Sequence, residues 1–416
     1  MGRGGNGDTR HSAPLTAEEV KRHNKPDDKW LLIDGKVYDI TSFAKRHPGG
    51  AKVISHYAGE DATDAWVAFH GDKEFVSKHL KSIYIGDVAD YKPSTIQEDF
   101  RELRALVEKK GLLKPDPVFF ISHFVSLFVM EALAVWVFWQ FGTGWLPYLA
   151  AMLLFVSAQA QAGWSQHDYG HHSVFKSTRV NHWFHHITIG FLKGASSHWW
   201  NFRHFQHHAK PNKIKKDPDV HMAYLFLLGD EMAKDWGSKH RGFMPYNWQH
   251  SYFFLLGPPL LLPIYFHYEV IHFCIKRRDY LDFFLAIVFF TRIYWMFGSF
   301  LGGWGTFAFY MISRAIESHW FVWCTQMSHL PNDIKRDAKD EDWLNLQLRT
   351  TNNVTSTPFF DWFSGHLNYQ IEHHLFPTMP RHNFRKVAPL VKSLCEKHGV
   401  NYRCKTVYTA FADIVR

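Results

Sequence analysis

VFFISHFVSLFVMEALAVWVFWQF, residues 118–141, is apolar almost without interruption and reaches the ~20 residues needed to cross a bilayer's hydrocarbon core. Gly142-Thr143-Gly144 follows, too short for anything but a tight return, and residues 145–163 form a second run of the same character. Lipid offers no partners to free backbone N–H and C=O groups, so paired runs of this kind are read as helices. The stretch predicts a membrane-spanning helical hairpin. The mean hydropathy of −0.25 hides it only because polar regions dilute the average.

Toward the C-terminus, residues 252–274 read as a third span, bent by Pro258, Pro259 and Pro263. After Lys276-Arg277-Arg278, a long apolar stretch from 281 to 324 is interrupted by Arg292 and Gly302-Gly303; it reads as one crossing plus an interfacial helix. Four spans in two hairpins put the N-terminal region and every histidine cluster on one face of the membrane. The loop between spans two and three carries Lys193, Arg203, Lys210, Lys213, Lys215, Lys216, Lys239 and Arg241, in line with a cytosolic side. With span three at 252–274, however, Lys276-Arg277-Arg278 falls on the opposite face, and nothing in the sequence accounts for it. Trp145, Tyr148, Trp295, Trp304, Trp320 and Trp323 mark segment ends, where an aromatic belt sits; Trp199 and Trp200 also suit the lining of an acyl path.

The chain holds 29 histidines, and their spacing is not random. His167 and His171 stand at i and i+4 just after span two; His204, His207 and His208 at i, i+3 and i+4; Gln370, His373 and His374 repeat that pattern. Each set shares one helical face. Three such faces beside membrane hairpins can converge on two metal ions, and imidazole suits iron, zinc and copper alike. His329, at the end of the fourth apolar segment, is placed to add a ligand. His182, His185 and His186 reproduce the same spacing as a decoy, and His172, His198, His319, His366 and His382 are further histidines read as structural or supporting. Asp168, Asn212, Asp217, Asp219, Asp361 and Glu372 are the side chains expected to orient ligand imidazoles. His267 and Glu269, polar groups in span three, are either path-lining or a polar helix end.

Upstream of the hairpin the chemistry changes. Residues 30–33, Asp34-Gly35 and residues 36–40 form a hairpin signal, because Asp-Gly supplies the positive φ angles of a type I′ turn. His47-Pro48-Gly49-Gly50 ends a helix and lets backbone pass close to a flat ligand; His70 offers a second imidazole, with His56 and His79 as competitors. Residues 91–116 read as a connector. Cys274, Cys324, Cys395 and Cys404 lie far apart, which excludes a Cys-x-x-Cys zinc site and fits a chain facing reducing cytosol. The net charge of +8 has no basic helix or RNA-binding motif behind it, so nucleic acid is not expected as a partner. Residues 1–14 carry no signal peptide and read as a disordered cytosolic tail; Met1-Gly2 lacks the Ser or Thr at position six that myristoylation prefers.

Two resemblances cover most of the chain. Residues 15–90, with His-Pro-Gly-Gly intact at 47, resemble cytochrome b5; this implies a haem b held by His47 and His70, an electron carrier with no free axial position for dioxygen. Glu60, Asp61, Asp64, Asp72 and Glu74 then read as a docking face for a basic reductase, or as an ordinary solvated face. Residues 118–416 resemble the membrane fatty-acid desaturases. His-Asp-Tyr-Gly-His at 167, His-Phe-Gln-His-His-Ala-Lys-Pro-Asn at 204 and Gln-Ile-Glu-His-His-Leu-Phe-Pro-Thr at 370 are similar to the front-end, animal Δ5/Δ6 acyl-CoA type. The resemblance implies an α+β cytochrome b5-like domain, a linker over 91–117 and an all-α integral membrane domain. It also implies two non-haem irons held by His167, His171, His204, His207, His208, His373 and His374, with Gln370 at a substituted position and His329 added by analogy. Dioxygen as co-substrate, NADH-cytochrome b5 reductase as electron donor and an endoplasmic reticulum membrane with the haem domain cytosolic complete the expectation.

The chemistry is coherent with a fusion. Taking two hydrogens from an unactivated methylene pair needs a metal-activated oxidant and a dry cavity, and a tethered haem raises the local electron-donor concentration to about millimolar without tight docking. Two other readings keep part of the pattern: a b5-fused sphingolipid desaturase or fatty-acid hydroxylase, and a non-catalytic membrane haem carrier whose histidines bind zinc.

Overall fold

The computed structural model describes residues 14–71, 73–222, 224–239, 241–336 and 341–415. The expected N-terminal tail lies outside these apart from its last residue, and so does Asp72.

The N-terminal unit is an antiparallel sheet of four strands in sequential order, Asn24–Lys25, Asp28–Ile33, Lys36–Asp39 and Tyr84–Asp87. Ile33 pairs with Lys36 across a two-residue turn in which Asp34 (φ 50) and Gly35 (φ 73) take the left-handed conformations that type I′ demands. Three helices, Ala51–Ser55, Thr63–Phe69 and Lys73–Leu80, complete the unit between the third and fourth strands.

The connector is not a loose tether. Thr95–Lys109 is a helix opened by a Ser94/Gln97 capping box, and it buries Ile96, Phe100, Leu103 and Val107 at helical spacing. These side chains join one continuous apolar core that runs from Leu31, Ile40 and Tyr57 of the N-terminal unit to Trp343, Phe376 and Phe384 of the C-terminal region. Polar contacts pin the same seam: Tyr57 Oη donates to Ala209 O at 2.9 Å, and Lys210 pairs with Glu60 at 2.5 Å. The acidic docking face is revised accordingly. Glu60 is taken by Lys210 and Lys216, Asp61 accepts from Thr63, and Asp64 accepts from Gln97 at 3.1 Å and Arg101 at 3.0 Å. They serve the chain's own packing.

In the membrane region, Pro117–Phe141 and Trp145–Gly170 pack along each other as predicted. Asp116 caps the first, accepting from Val118 N at 2.9 Å. Tyr280–Gln326 is a helix of 47 residues broken at Gly302 (φ 67, ψ 179). Ring centroids of Phe297 and Phe309 lie 4.8 Å apart, and those of Phe289 and Tyr310 5.8 Å. In a straight helix residues 289 and 310 would be about 31 Å apart at ~1.5 Å per residue, so the two halves fold back on each other, and the stretch is a hairpin rather than one crossing plus an interfacial helix. Phe138, Tyr148 and Phe155 of the first hairpin meet Phe309 at 5.8, 5.4 and 5.8 Å, which places both hairpin turns at the same end. Glu131 and Arg292 join the hairpins at 2.5 Å.

Residues 252–274 differ from the expected span. Tyr246–Leu256 and Pro258–Arg277 are bent by 45°, with Gly257-Pro258-Pro259 at the break and a π-helical segment at Leu261–Phe266 around Pro263. Proline at these positions removes ladder N–H groups and splits the helix. By length and composition three described helices can cross a bilayer, Pro117–Phe141, Trp145–Gly170 and Tyr280–Gln326, with the bent pair as a further candidate. The cations of the 193–241 loop are also not all surface charges: Lys193 pairs with Glu317, Arg203 with Glu269 and Lys213 with Glu341. Glu269 is thereby removed from the path-lining set.

Candidate metal and haem site

The helix Trp145–Gly170 runs one to two turns past the apolar run and carries His167 in its last turn, with His171 as C-cap. Ser196 caps Ser197–Ala209, accepting from Trp199 N at 3.0 Å, and that helix delivers His204, His207 and His208 on one side. The short helix Gln370–Leu375 presents Gln370, His373 and His374, and His329 sits in the turn after Gln326.

The structure gathers these residues into two groups. Ligand nitrogens of His167, His171, His204, His208 and His373 all lie within 4.8 Å of one another, and so do those of His207, His329 and His374. Nε2 of His204 is 2.8 Å from that of His171 and 3.0 Å from that of His208, which is 3.0 Å from that of His373. Two nitrogens bound to one ion at about 2.0–2.1 Å and near a right angle lie about 3 Å apart, so the first group has the spacing of a coordination shell. Burial holds His204, His208, His373 and His374 well below the ordinary histidine range and pushes His329 down to about 3. Neutral imidazoles are what a cation needs.

In the second group the outer nitrogens are tied down. Nδ1 of His207 donates to Asp217 at 2.9 Å, Nδ1 of His374 to Gln347 Oε1 at 2.8 Å, and Nδ1 of His329 to Thr350 O at 3.3 Å. In each, Nδ1 is engaged and Nε2 is the nitrogen left to meet a cation, while, against the lowering effect of burial, the Asp217 carboxylate raises the His207 pKa. Gln370 Nε2 lies 2.7 Å from His329 Nε2, while Gln370 Oε1 and His374 Nε2 are buried without a partner. Orphaned buried acceptors of this kind fit a cation between them; a half-turn of the amide puts its oxygen beside His329.

Among the expected supporting residues, Asp217 and Asn212 hold the second group, Asn212 Nδ2 donating to His329 O at 2.9 Å. Asp219 stands farther, 3.8 Å from His207. Asp168 faces Arg381 at 3.3 Å, Asp361 accepts from Ser356 and Asn368, and Glu372 accepts from Asn353 at 2.7 Å and Tyr402 at 2.9 Å. Glu372 points away from the metal groups, and burial pushes its carboxyl up to about 7. Gln347 and the Thr350 carbonyl were missed; a lone polar residue on the helix Trp343–Thr350 gives no local sign of a contact 27 positions away.

The decoy histidines are engaged elsewhere. His186 donates to Asp282 at 2.6 Å, His185 pairs with Gln166 at 2.8 Å, and His182 packs against His172. His198 joins Asp279 at 2.7 Å, His319 accepts from Trp323, His382 accepts from Asp116 N, and His366 packs on Phe119.

His47 and His70 face each other with ring centroids 6.2 Å apart. Imidazoles on opposite sides of one metal, with bonds of about 2.0–2.1 Å, have centroids slightly over 6 Å apart, so the slot fits a doubly ligated haem iron. Nδ1 of His70 donates to Trp66 O at 2.8 Å, leaving Nε2 free. A Cβ on Gly49 would stand 2.9 Å from His47 Cε1, the close approach that needs glycine. His56 and His79 stand outside this pair.

A partly open pocket lies beside the first group, lined by Trp164, Gln166, Trp199, Trp200, Lys193 and His267 among others. Trp200 stacks on His204 with centroids 4.1 Å apart and stands between the pocket and the metal nitrogens.

Together these features put two histidine groups able to hold metal ions beside helices long and apolar enough to cross a membrane, with the N-terminal unit packed against them. Residues 143–406 match the family model described as Fatty acid desaturase, and residues 16–89 match that described as Cytochrome b5-like Heme/Steroid binding domain. The chain belongs to the fatty acid desaturase family. Among solved structures it is similar to "Cytochrome b5 of Ostreococcus tauri virus 2", at 34% identity over 18% of this chain and 96% of that one, with a TM-score of 0.17. The two domains together support fatty acid desaturation with electrons supplied through a haem-binding b5 domain.

Proposed function

We propose that the chain is a front-end acyl-CoA desaturase of the Δ5/Δ6 type, inserting a cis double bond between the carboxyl end and an existing double bond. The observation that supports this is Gln370: a buried amide with an unpartnered oxygen stands 2.7 Å from His329 of the second group, where a plain His-x-x-His-His box would supply imidazole. His167, His171, His204, His208 and His373 would hold one iron; His207, His329, His374 and Gln370 the other. Bound iron supplies the activation of dioxygen that no side chain can perform. The balance is CH2–CH2 + O2 + 2 e− + 2 H+ → CH=CH + 2 H2O; His47 and His70 would hold the haem that supplies the two electrons one at a time.

The chain's own residues position and seal. The pocket walls seat the acyl chain, Trp200 fixes its distance from the metal ligands, and Asp217 and Gln347 keep His207 and His374 aimed inward. The two hairpins are read as four crossings with both turns lumenal. The bent segment 246–277 then stays on the cytosolic side, and Lys276-Arg277-Arg278 joins the other cations there. This fits an endoplasmic reticulum protein whose haem domain meets NADH-cytochrome b5 reductase, on a face other than the one Glu60 and Asp64 occupy. Feeding Δ6- and Δ5-type polyunsaturated precursors to a host lacking such enzymes tests the reading. A new double bond on the carboxyl side is expected, with about two irons per chain beyond haem iron by metal analysis; no product from any precursor in a fully loaded protein would refute it, and a hydroxylated product would move it to the hydroxylases.

A further inference from the structure

We propose that Phe69 is the bridge by which electrons leave the haem for the metal groups. The helix Thr63–Phe69 ends at this residue, and His70 follows in an extended conformation (φ −111, ψ 102). Extended backbone sends successive side chains to opposite sides. His70 turns toward His47, and Phe69 turns toward the metal-binding domain, where its ring meets His208 edge-on, centroids 6.4 Å apart at 86°. That separation is within the range of packed aromatic pairs. His208 is central to the first group, its Nε2 3.0 Å from both His204 and His373. From one haem ligand to one metal ligand the route is a single peptide link, one phenyl ring and one van der Waals contact. Tunnelling falls steeply with each gap crossed through empty space, and this route has one short gap.

The pose is fixed. Trp343 packs against Phe69 at 6.4 Å and its Nε1 donates to His208 O at 3.4 Å. The two residues after His208 are also held by the haem domain, Ala209 through Tyr57 and Lys210 through Glu60. Each passage oxidises one ferrous haem to ferric and delivers one electron to the metal site; two passages serve each double bond, and a nicotinamide-dependent flavoprotein or chemical reductant recharges the haem.

The inference rests on the desaturase reading, and the test separates the two. Full-length protein loaded with haem and iron is reduced anaerobically with dithionite, then mixed with oxygen and a polyunsaturated acyl-CoA while the haem absorbance is followed. In the parent protein, iron and substrate together should speed haem reoxidation; if they do not, the desaturase reading fails, whatever Phe69 does. Phe69→Leu should slow that reoxidation by about tenfold or more, with haem content and haem midpoint potential unchanged, and Phe69→Tyr, which keeps the ring, should restore it. Reoxidation of Phe69→Leu at the parent rate would overturn the bridge, and so would a Tyr variant as slow as the Leu variant, which would mean the site is only packing.

Discussion

Gln370 is the side chain whose role in the second histidine group the proposed function turns on. Removing its amide in Gln370→Ala leaves His329 facing a void, and Gln370→His replaces a neutral oxygen donor with a bulkier imidazole. Both should lower turnover while haem content stays at the parent level, measured by product formation and haem absorbance on the same preparation; full activity in the Ala variant would show that the amide plays no part. Asp217→Asn should act through His207, whose Nδ1 loses its carboxylate partner. A loss of about 10–100-fold in iron affinity or activity is expected, read as iron per haem. The gathering of these histidines was legible because helical spacing is written locally: i, i+3 and i+4 share a face whatever the tertiary fold. Their partners were not. Spacing alone could not separate His182, His185 and His186 from the two gathered groups either, since what claims His186 is Asp282, 96 positions away.

Gly302 decides the second hairpin. Its φ of 67 with ψ of 179 is a conformation essentially reserved to glycine, costing about 1–3 kcal/mol for other residues. A Cβ there would meet nothing within 4 Å, so Gly302→Ala isolates the backbone term. It should lower the thermal midpoint in detergent, whereas Gly303→Ala, with no positive φ and open space around it, should be nearly neutral. The turn was hard to read because two glycines inside an apolar run carry none of the polar residues that mark a hairpin in water. The junction before this hairpin should respond to pH. Asp279 and Asp282 hydrogen-bond His198 and raise its pKa to about 10. A raised value stabilises the fold fully below the unfolded value near 6.5 and the gain is lost as pH climbs through about 10. Because His198 is half exposed, solvent screening leaves about 1 kcal/mol. The thermal midpoint should fall more between pH 7 and 10 in the parent than in His198→Gln, and parallel curves would contradict the coupling.

At the scale of the whole molecule, the sequence showed two domains and a connector but not that they share a core. Residues 91–116 look like a charged spacer; only the fold reveals Phe100 against Trp343 and Phe376 at 6.4 and 5.7 Å. Lys210→Glu sets two carboxylates against each other at the seam with Glu60. Limited proteolysis followed by gel filtration should then release the haem domain, whereas the cleaved parent should keep its halves together; release from both would show that the seam is weak. The shared core also alters the timetable of catalysis. A mobile carrier must leave, be recharged and return for every electron, so its arrivals are random and sensitive to dilution. A carrier built into the wall of the reaction chamber has no such journeys. On the proposed function it would act as a fixed relay, and the interval between the first and second electron would then depend on how quickly an outside donor finds it.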